Sequence, residues 1–123
     1  MTSSWTITAR WVLGMEGPPL EGGTVIIRGE QLVAVEPHGS LTADVDVGNA
    51  ALLPGLVNAH THLDLSGLRG QTPPGPDFTG WLRAVVHHRR SLTSEQVQRA
   101  VQAGVAEAVA SGTTLIGDIS SQG

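Results

Sequence analysis

The sequence predicts an α/β protein in two parts, on three observations. The first fifty residues alternate short β-branched runs with Gly- and Pro-rich turns. Residues 51–60, ALLPGLVNAH, form a nearly unbroken apolar run. Two helical periodicities then precede a second apolar run, TTLIGDI, at 113–119. Short antiparallel strands followed by strand, helix, helix, strand is the order of a small sheet joined to a βαβ unit, whose two strands are expected to be parallel and its crossover right-handed.

Strands are expected in TITARWVL (6–13), in GTVIIRGEQLVAVE (23–36) and in ADVDVG (43–48), with the Gly/Pro-rich GMEGPPLEGG (14–23) as a loop. Within the second of these, Gly29 can supply the positive φ of a tight hairpin between two β-branched runs. The run at 51–60 has no polar alternation, which predicts a strand buried on both faces of a parallel sheet. SGLRGQTPPGPDFTG (66–80) is too rich in Gly and Pro for regular structure and is long enough for a functional loop. Asp77 or Thr79 can cap a helix through WLRAVVHHRR (81–90), with Trp81, Leu82, Val85 and Val86 on one face. Thr93 and Gln96 have capping-box spacing and open a second helix, along which Val97, Val101, Val105 and Val109 repeat every four residues before Gly112 closes it. Trp5, Trp11 and Trp81 read as core or interface anchors.

Composition removes several function classes. A length of 123 residues, 40% of them hydrophobic, suits one ordinary domain with a core. The N-terminus has no basic segment leading into an apolar one, and no window reaches the roughly 18 apolar residues of a membrane span, so a cytoplasmic location is expected. With no cysteine there is no disulfide, thiolate zinc site or cysteine nucleophile, and any metal must be held by imidazole or carboxylate. The formal charge is −4 and all seven basic residues are arginine, which gives no basic stripe for nucleic acid or for a membrane surface. The absence of lysine excludes a Schiff base and a carbamylated-lysine metal bridge from this chain.

One feature is chemically unusual: the apolar run ends in His60-Thr61-His62. Residues two apart on a strand project to the same side, roughly 7 Å apart along the backbone, so both imidazoles can converge on one ion. Zinc held by nitrogen with an open coordination position lowers the pKa of its water toward about 7. The C-terminal end of a buried parallel strand is also where α/β barrels gather catalytic groups. A bare His-x-His pair is a weak signal, however, because such pairs also occur in loops and hydrogen-bonded interiors.

The surrounding PGLVNAHTHLD (54–64) resembles the signature of the amidohydrolase superfamily of metal-dependent hydrolases. Asp64-Leu65-Ser66 and Phe78-x-x-Trp81-Leu82 look most like the branch that deaminates aminopurine-type nucleosides, which includes aminodeoxyfutalosine deaminases and chlorohydrolases. The resemblance implies an antiparallel β-sandwich segment over 1–51, followed over 52–123 by the first βαβ part of an incomplete TIM (β/α)8 barrel. It implies that His60 and His62 bind a divalent metal, Zn2+ first with Fe2+ or Mn2+ as alternatives. It also implies hydrolysis of a C–N bond in a small-molecule substrate that Asp64 contacts. Arg69, placed in the loop, could hold a substrate anion.

The family completes its site with two further histidines and an aspartate from later strands, and deaminases add a glutamate. None of those strands is in this sequence, and a full barrel takes roughly 250 residues. The isolated chain is therefore expected to be inactive, with no catalytic residue assigned beyond the metal pair. The alternative is a catalytically incomplete, truncated or split chain acting as an assembly partner, through self-association or with a complementing C-terminal chain. Asn58 could orient a ligand histidine, and Asp118 could reach the mouth of the site or serve as a cap. His87 and His88 diverge by about 100° on a helix and read as a solvated helix end.

Overall fold

The computed structural model describes residues 3–72 and 77–120, so part of the loop expected over 66–80 lies outside the described residues. The chain divides into two compact units that meet between Pro54 and Gly55.

The first unit holds two small sheets. One has strands β1 (Ser4–Thr8), β4 (Thr24–Arg28), β5 (Gln31–Glu36) and β6 (Val45–Asp46) in the order β5-β4-β1-β6. The other has β2 (Trp11–Val12), β3 (Leu20–Glu21) and β7 (Ala51–Leu52) in the order β3-β2-β7. The single strand expected over 6–13 is thus two strands in different sheets. The chain crosses between them at Ala9–Arg10, where Arg10 N–H donates to the Gly48 carbonyl and Gly22 N–H to the Arg10 carbonyl. The loop expected over 14–23 contains β3, which this crossing pairs with β2.

The hairpin at Gly29 forms as expected, with φ 60° at the first of its two turn residues and Arg28 opposite Gln31. Glycine is used at that position because only it takes positive φ there without a Cβ penalty. Strand β6 is shorter than expected and is tied to β1 by Asp44, whose carboxylate accepts from Thr6 N–H at 2.7 Å and Thr6 Oγ1 at 2.8 Å. Ala9, Val12, Gly23, Thr24 and Val25 are the buried residues among those described in this unit.

The second unit opens with β8 (Leu56–Thr61) and a 3-10 segment (Leu63–Leu68), followed by α1 (Phe78–Ser91), α2 (Ser94–Ala110) and β9 (Thr113–Asp118). β8 and β9 are parallel, so strands and helices combine as an α/β arrangement. Asp77, not Thr79, caps α1 by accepting Gly80 N–H at 2.6 Å. Thr93 and Gln96 form both bonds of the capping box at the start of α2.

One burial expectation fails, and the four-residue valine repeat does not follow the packed face of its helix. The valine stripe of α2 does not stay inside: Val105 and Val109 are 40% and 66% exposed, while Ala100 and Gly104 are buried. Spacing of four residues drifts about 40° per step on a helix of 3.6 residues per turn, which carries the later valines off the packed face. Gly104 is needed on that face because a Cβ would lie 2.2 Å from Ser66 Oγ and 3.0 Å from Leu63 Cδ2. Strand β8 is not buried on both faces either. Leu56 and Val57 are 51% and 62% exposed, since among the described residues β8 pairs only with β9 in a two-stranded sheet. Of the face expected on α1, only Val85 is buried. Among the described residues, no helix is long and apolar enough to cross a membrane.

Candidate functional site

His60 sits near the end of β8 and His62 just beyond it, at φ −129° and ψ 85°. Two residues of β8, Ala59 and His60, lie there opposite the single Gly117 of β9, because Asn58 pairs with Ile116 and Thr61 with Asp118. One extra residue in a strand bends it and re-aims the side chains beside it. β9 accommodates the bend with Gly117, whose Cβ would stand 2.7 Å from the Ala59 carbonyl oxygen.

Despite this irregularity the two imidazoles stay together, with ring centroids 5.3 Å apart and planes at 83°. A tetrahedral ion with metal–nitrogen bonds of about 2.0 to 2.1 Å would hold two imidazole centroids ~5.2 Å apart, so the pair has the spacing of two ligands on one ion. His62 Nδ1 lies 2.9 Å from the Ile119 carbonyl oxygen. A carbonyl can only accept, so in the neutral ring Nδ1 carries the proton and Nε2 keeps the lone pair a metal needs. Asn58 Oδ1 accepts the His60 backbone N–H at 3.2 Å and makes no contact with the ring of His62 among its described bonds.

β9 holds the segment around His62 from the other side. Ile119 N–H donates to the Thr61 carbonyl at 2.8 Å, and Asp118 Oδ1 accepts Leu63 N–H at 2.9 Å. Among the described residues, no group of three or more His, Cys, Asp or Glu side chains is placed to hold an ion, so neither Asp118 nor any other described carboxylate completes the histidine pair.

Asp64 and Arg69 each have an ion-pair partner of their own. The strand ends at Thr61, so Asp64 does not continue its alternation but turns inward within the 3-10 segment. It is buried against α1, where Arg89 Nε donates to Oδ2 at 2.6 Å and Nη2 stands 2.5 Å from the same oxygen, off hydrogen-bond geometry. Asp64 Oδ1 is buried without a hydrogen-bond partner. Arg69 is exposed and paired with Glu107, whose hydrogen bond and charge raise the guanidinium pKa above its ordinary value. His87 and His88 lie in the last turns of α1.

Sequence reasoning did not find Arg89 as the partner of Asp64, the Asp118 bond to Leu63, or the Ile119 carbonyl behind His62. Each joins residues 25 to 57 positions apart, a distance no local pattern reports.

The amidohydrolase family profile matches residues 51–123, more than half of the chain and the whole histidine-bearing unit. The chain belongs to the amidohydrolase family. Among curated amidohydrolase relatives, the 5-methylthioadenosine/S-adenosylhomocysteine deaminase of Haloarcula marismortui is 35% identical over 91 residues, covering 72% of this chain and 21% of that protein. The aminodeoxyfutalosine deaminase of a Nitratiruptor species is 34% identical over 94 residues, covering 76% and 22%. This amidohydrolase chain thus spans about a fifth of the length of those two relatives. Its fold is shared with atrazine chlorohydrolase from Arthrobacter aurescens TC1, solved in complex with zinc, at TM-score 0.70 and 21% identity over 89% of this chain and 28% of that one.

Proposed function

We propose that the chain is the N-terminal part of a metal-dependent amidohydrolase that deaminates an aminopurine-type substrate, with His60 and His62 as two of its metal ligands. The observation that carries this reading is the closeness of the two rings at the end of a parallel strand, with centroids 5.3 Å apart, in a chain of this family. In the same reading residues 1–51 are a β-sandwich segment and residues 52–123 the first βαβ part of a TIM (β/α)8 barrel. The reaction class is hydrolytic: the oxygen of water replaces a ring amino group, and ammonia leaves. A bound divalent ion, Zn2+ in the first instance, supplies Lewis-acid activation of that water.

The chain's own residues then have separate tasks. His60 and His62 bind the ion, and the His62–Ile119 bond fixes which nitrogen of His62 faces it. Arg69 is exposed, and its bond to Glu107 uses one of several donors, so the others can hold a substrate anion. Asp64, the second substrate contact that the family resemblance suggests, is turned inward onto Arg89 with its Oδ1 buried, so its part in the site is to hold the 3-10 segment that follows His62. The names of the relatives point to 5-methylthioadenosine, S-adenosylhomocysteine and aminodeoxyfutalosine as the first substrates to try.

A second reading has its own observation. Leu56, Val57 and Leu115 on the two-stranded sheet are each more than half exposed, and a short sheet with apolar faces favours association. In that reading the chain works as an assembly partner, with a second copy or with a complementing chain that carries further strands.

Zinc content and ammonia release, measured on the chain alone and after mixing with a chain carrying the later barrel strands, test both readings. The first predicts zinc-dependent turnover in the mixture that is lost in His60→Ala. Turnover that is unchanged by that substitution would overturn it. A clean monomer in gel filtration, unaltered by the added chain, would overturn the second.

A further inference from the structure

We infer that Asp118 is a positioning residue that frees the His62 ring to serve as a ligand and aims it; the inference rests on His62 holding the metal, as proposed above. His62 occupies the position that precedes the 3-10 segment, where a side chain ordinarily bonds back to the exposed N–H groups of the first turn. It makes no such bond. Asp118 does that work from the neighbouring strand, accepting Leu63 N–H at 2.9 Å. The next residue, Ile119, supplies the carbonyl that takes His62 Nδ1–H, and its own N–H binds the Thr61 carbonyl. Residues 61, 62 and 63 are therefore each held by one of two consecutive residues at the end of β9.

This clasp has a chemical consequence. Without the Asp118 bond, the orphan Leu63 N–H is left for the nearest acceptor, and the segment is free to turn the His62 ring off the Ile119 carbonyl. The ring would then lose the bond that keeps its proton on Nδ1. Outer partners that orient a metal-binding histidine are commonly worth about 10- to 100-fold in metal affinity. Asp118 does not act as a ligand in this scheme, in keeping with its absence from any described group of side chains placed to hold an ion. It acts through the Leu63 N–H and then through the ring of His62.

The test reads the ring directly. Long-range 1H–15N spectra of the metal-free 123-residue chain, recorded where the imidazoles are neutral, should show His62 as the Nδ1–H tautomer. Asp118→Ala should give a mixture of tautomers and raise the Zn2+ dissociation constant about tenfold or more. Asp118→Asn keeps an acceptor oxygen and should restore both. Should Asp118→Ala not fold, Leu63→Pro removes the N–H at a first-turn position that tolerates proline, and it should produce the same mixture. A wild-type proton on Nε2, or a wild-type tautomer in Asp118→Ala or Leu63→Pro, would overturn the assignment. So would failure of Asp118→Asn to restore the ring state in a folded chain. If Zn2+ leaves the His60 and His62 resonances of the wild type untouched, the metal reading fails, while the tautomer comparison still decides what Asp118 does.

Discussion

Removing the Arg89 side chain should be the most damaging single change in the second unit. Asp64 and Arg89 side chains are 9% and 27% exposed, and two of the three guanidinium nitrogens crowd one carboxylate oxygen while the other oxygen has no hydrogen-bond partner. In Arg89→Met the carboxylate stays in place with its remaining bond gone. Leaving one member of a buried ion pair alone costs about 3 to 5 kcal/mol, and because about a quarter of Arg89 is open to water, the lower end, ~3 kcal/mol, is expected. At roughly 4 to 8 °C per kcal/mol for a unit of this size, that is a fall of at least ~12 °C in Tm. The pair with Asp64→Leu added should recover most of the loss, because two apolar side chains of similar volume leave nothing unpaired. Urea unfolding of the wild type, both single variants and the double variant gives the coupling. An Arg89→Met variant within ~0.5 kcal/mol of wild type, or a double variant no more stable than Arg89→Met, would refute this account of the site.

Three further outcomes follow from the same geometry. Thr93→Ala removes one half of the capping box on α2 and should cost about 1 kcal/mol in urea unfolding, with the slope unchanged. Gly117→Ala places a Cβ against the Ala59 backbone oxygen, which cannot rotate away, so a loss of about 1 to 3 kcal/mol is expected, together with shifted His60 resonances in NMR. Arg69→Ala removes an exposed ion pair and should leave the urea midpoint where it is, whereas any effect on reconstituted turnover would appear in KM.

What could be read from the sequence was mostly local. The caps at Asp77 and Thr93, the Gly29 turn and the pairing of His60 with His62 each depend on residues within a few positions of one another, and each forms. What could not be read depends on distant partners. The crossing at Ala9–Arg10 is made by Gly22 and Gly48, so the letters 6–13 alone look like one strand. Asp64 turned inward because Arg89, 25 positions away, offers a buried charge, and the 3-10 turn after His62 ended the alternation that would have aimed it at the pair. β8 and the later valines of α2 are exposed for different reasons. An apolar run says that a strand prefers company without supplying its neighbours, and a four-residue spacing runs about 40° past each helix turn, so it leaves the packed face within a few repeats.

Metal binding rests on the two histidines acting together, and a Zn2+ titration of the 123-residue chain followed by calorimetry tests that most directly. One site should be seen in the wild type and should be lost in His60→Ala and in His62→Ala alike, with the folded state of both variants intact. Isotherms for the two variants that overlay the wild type would contradict it.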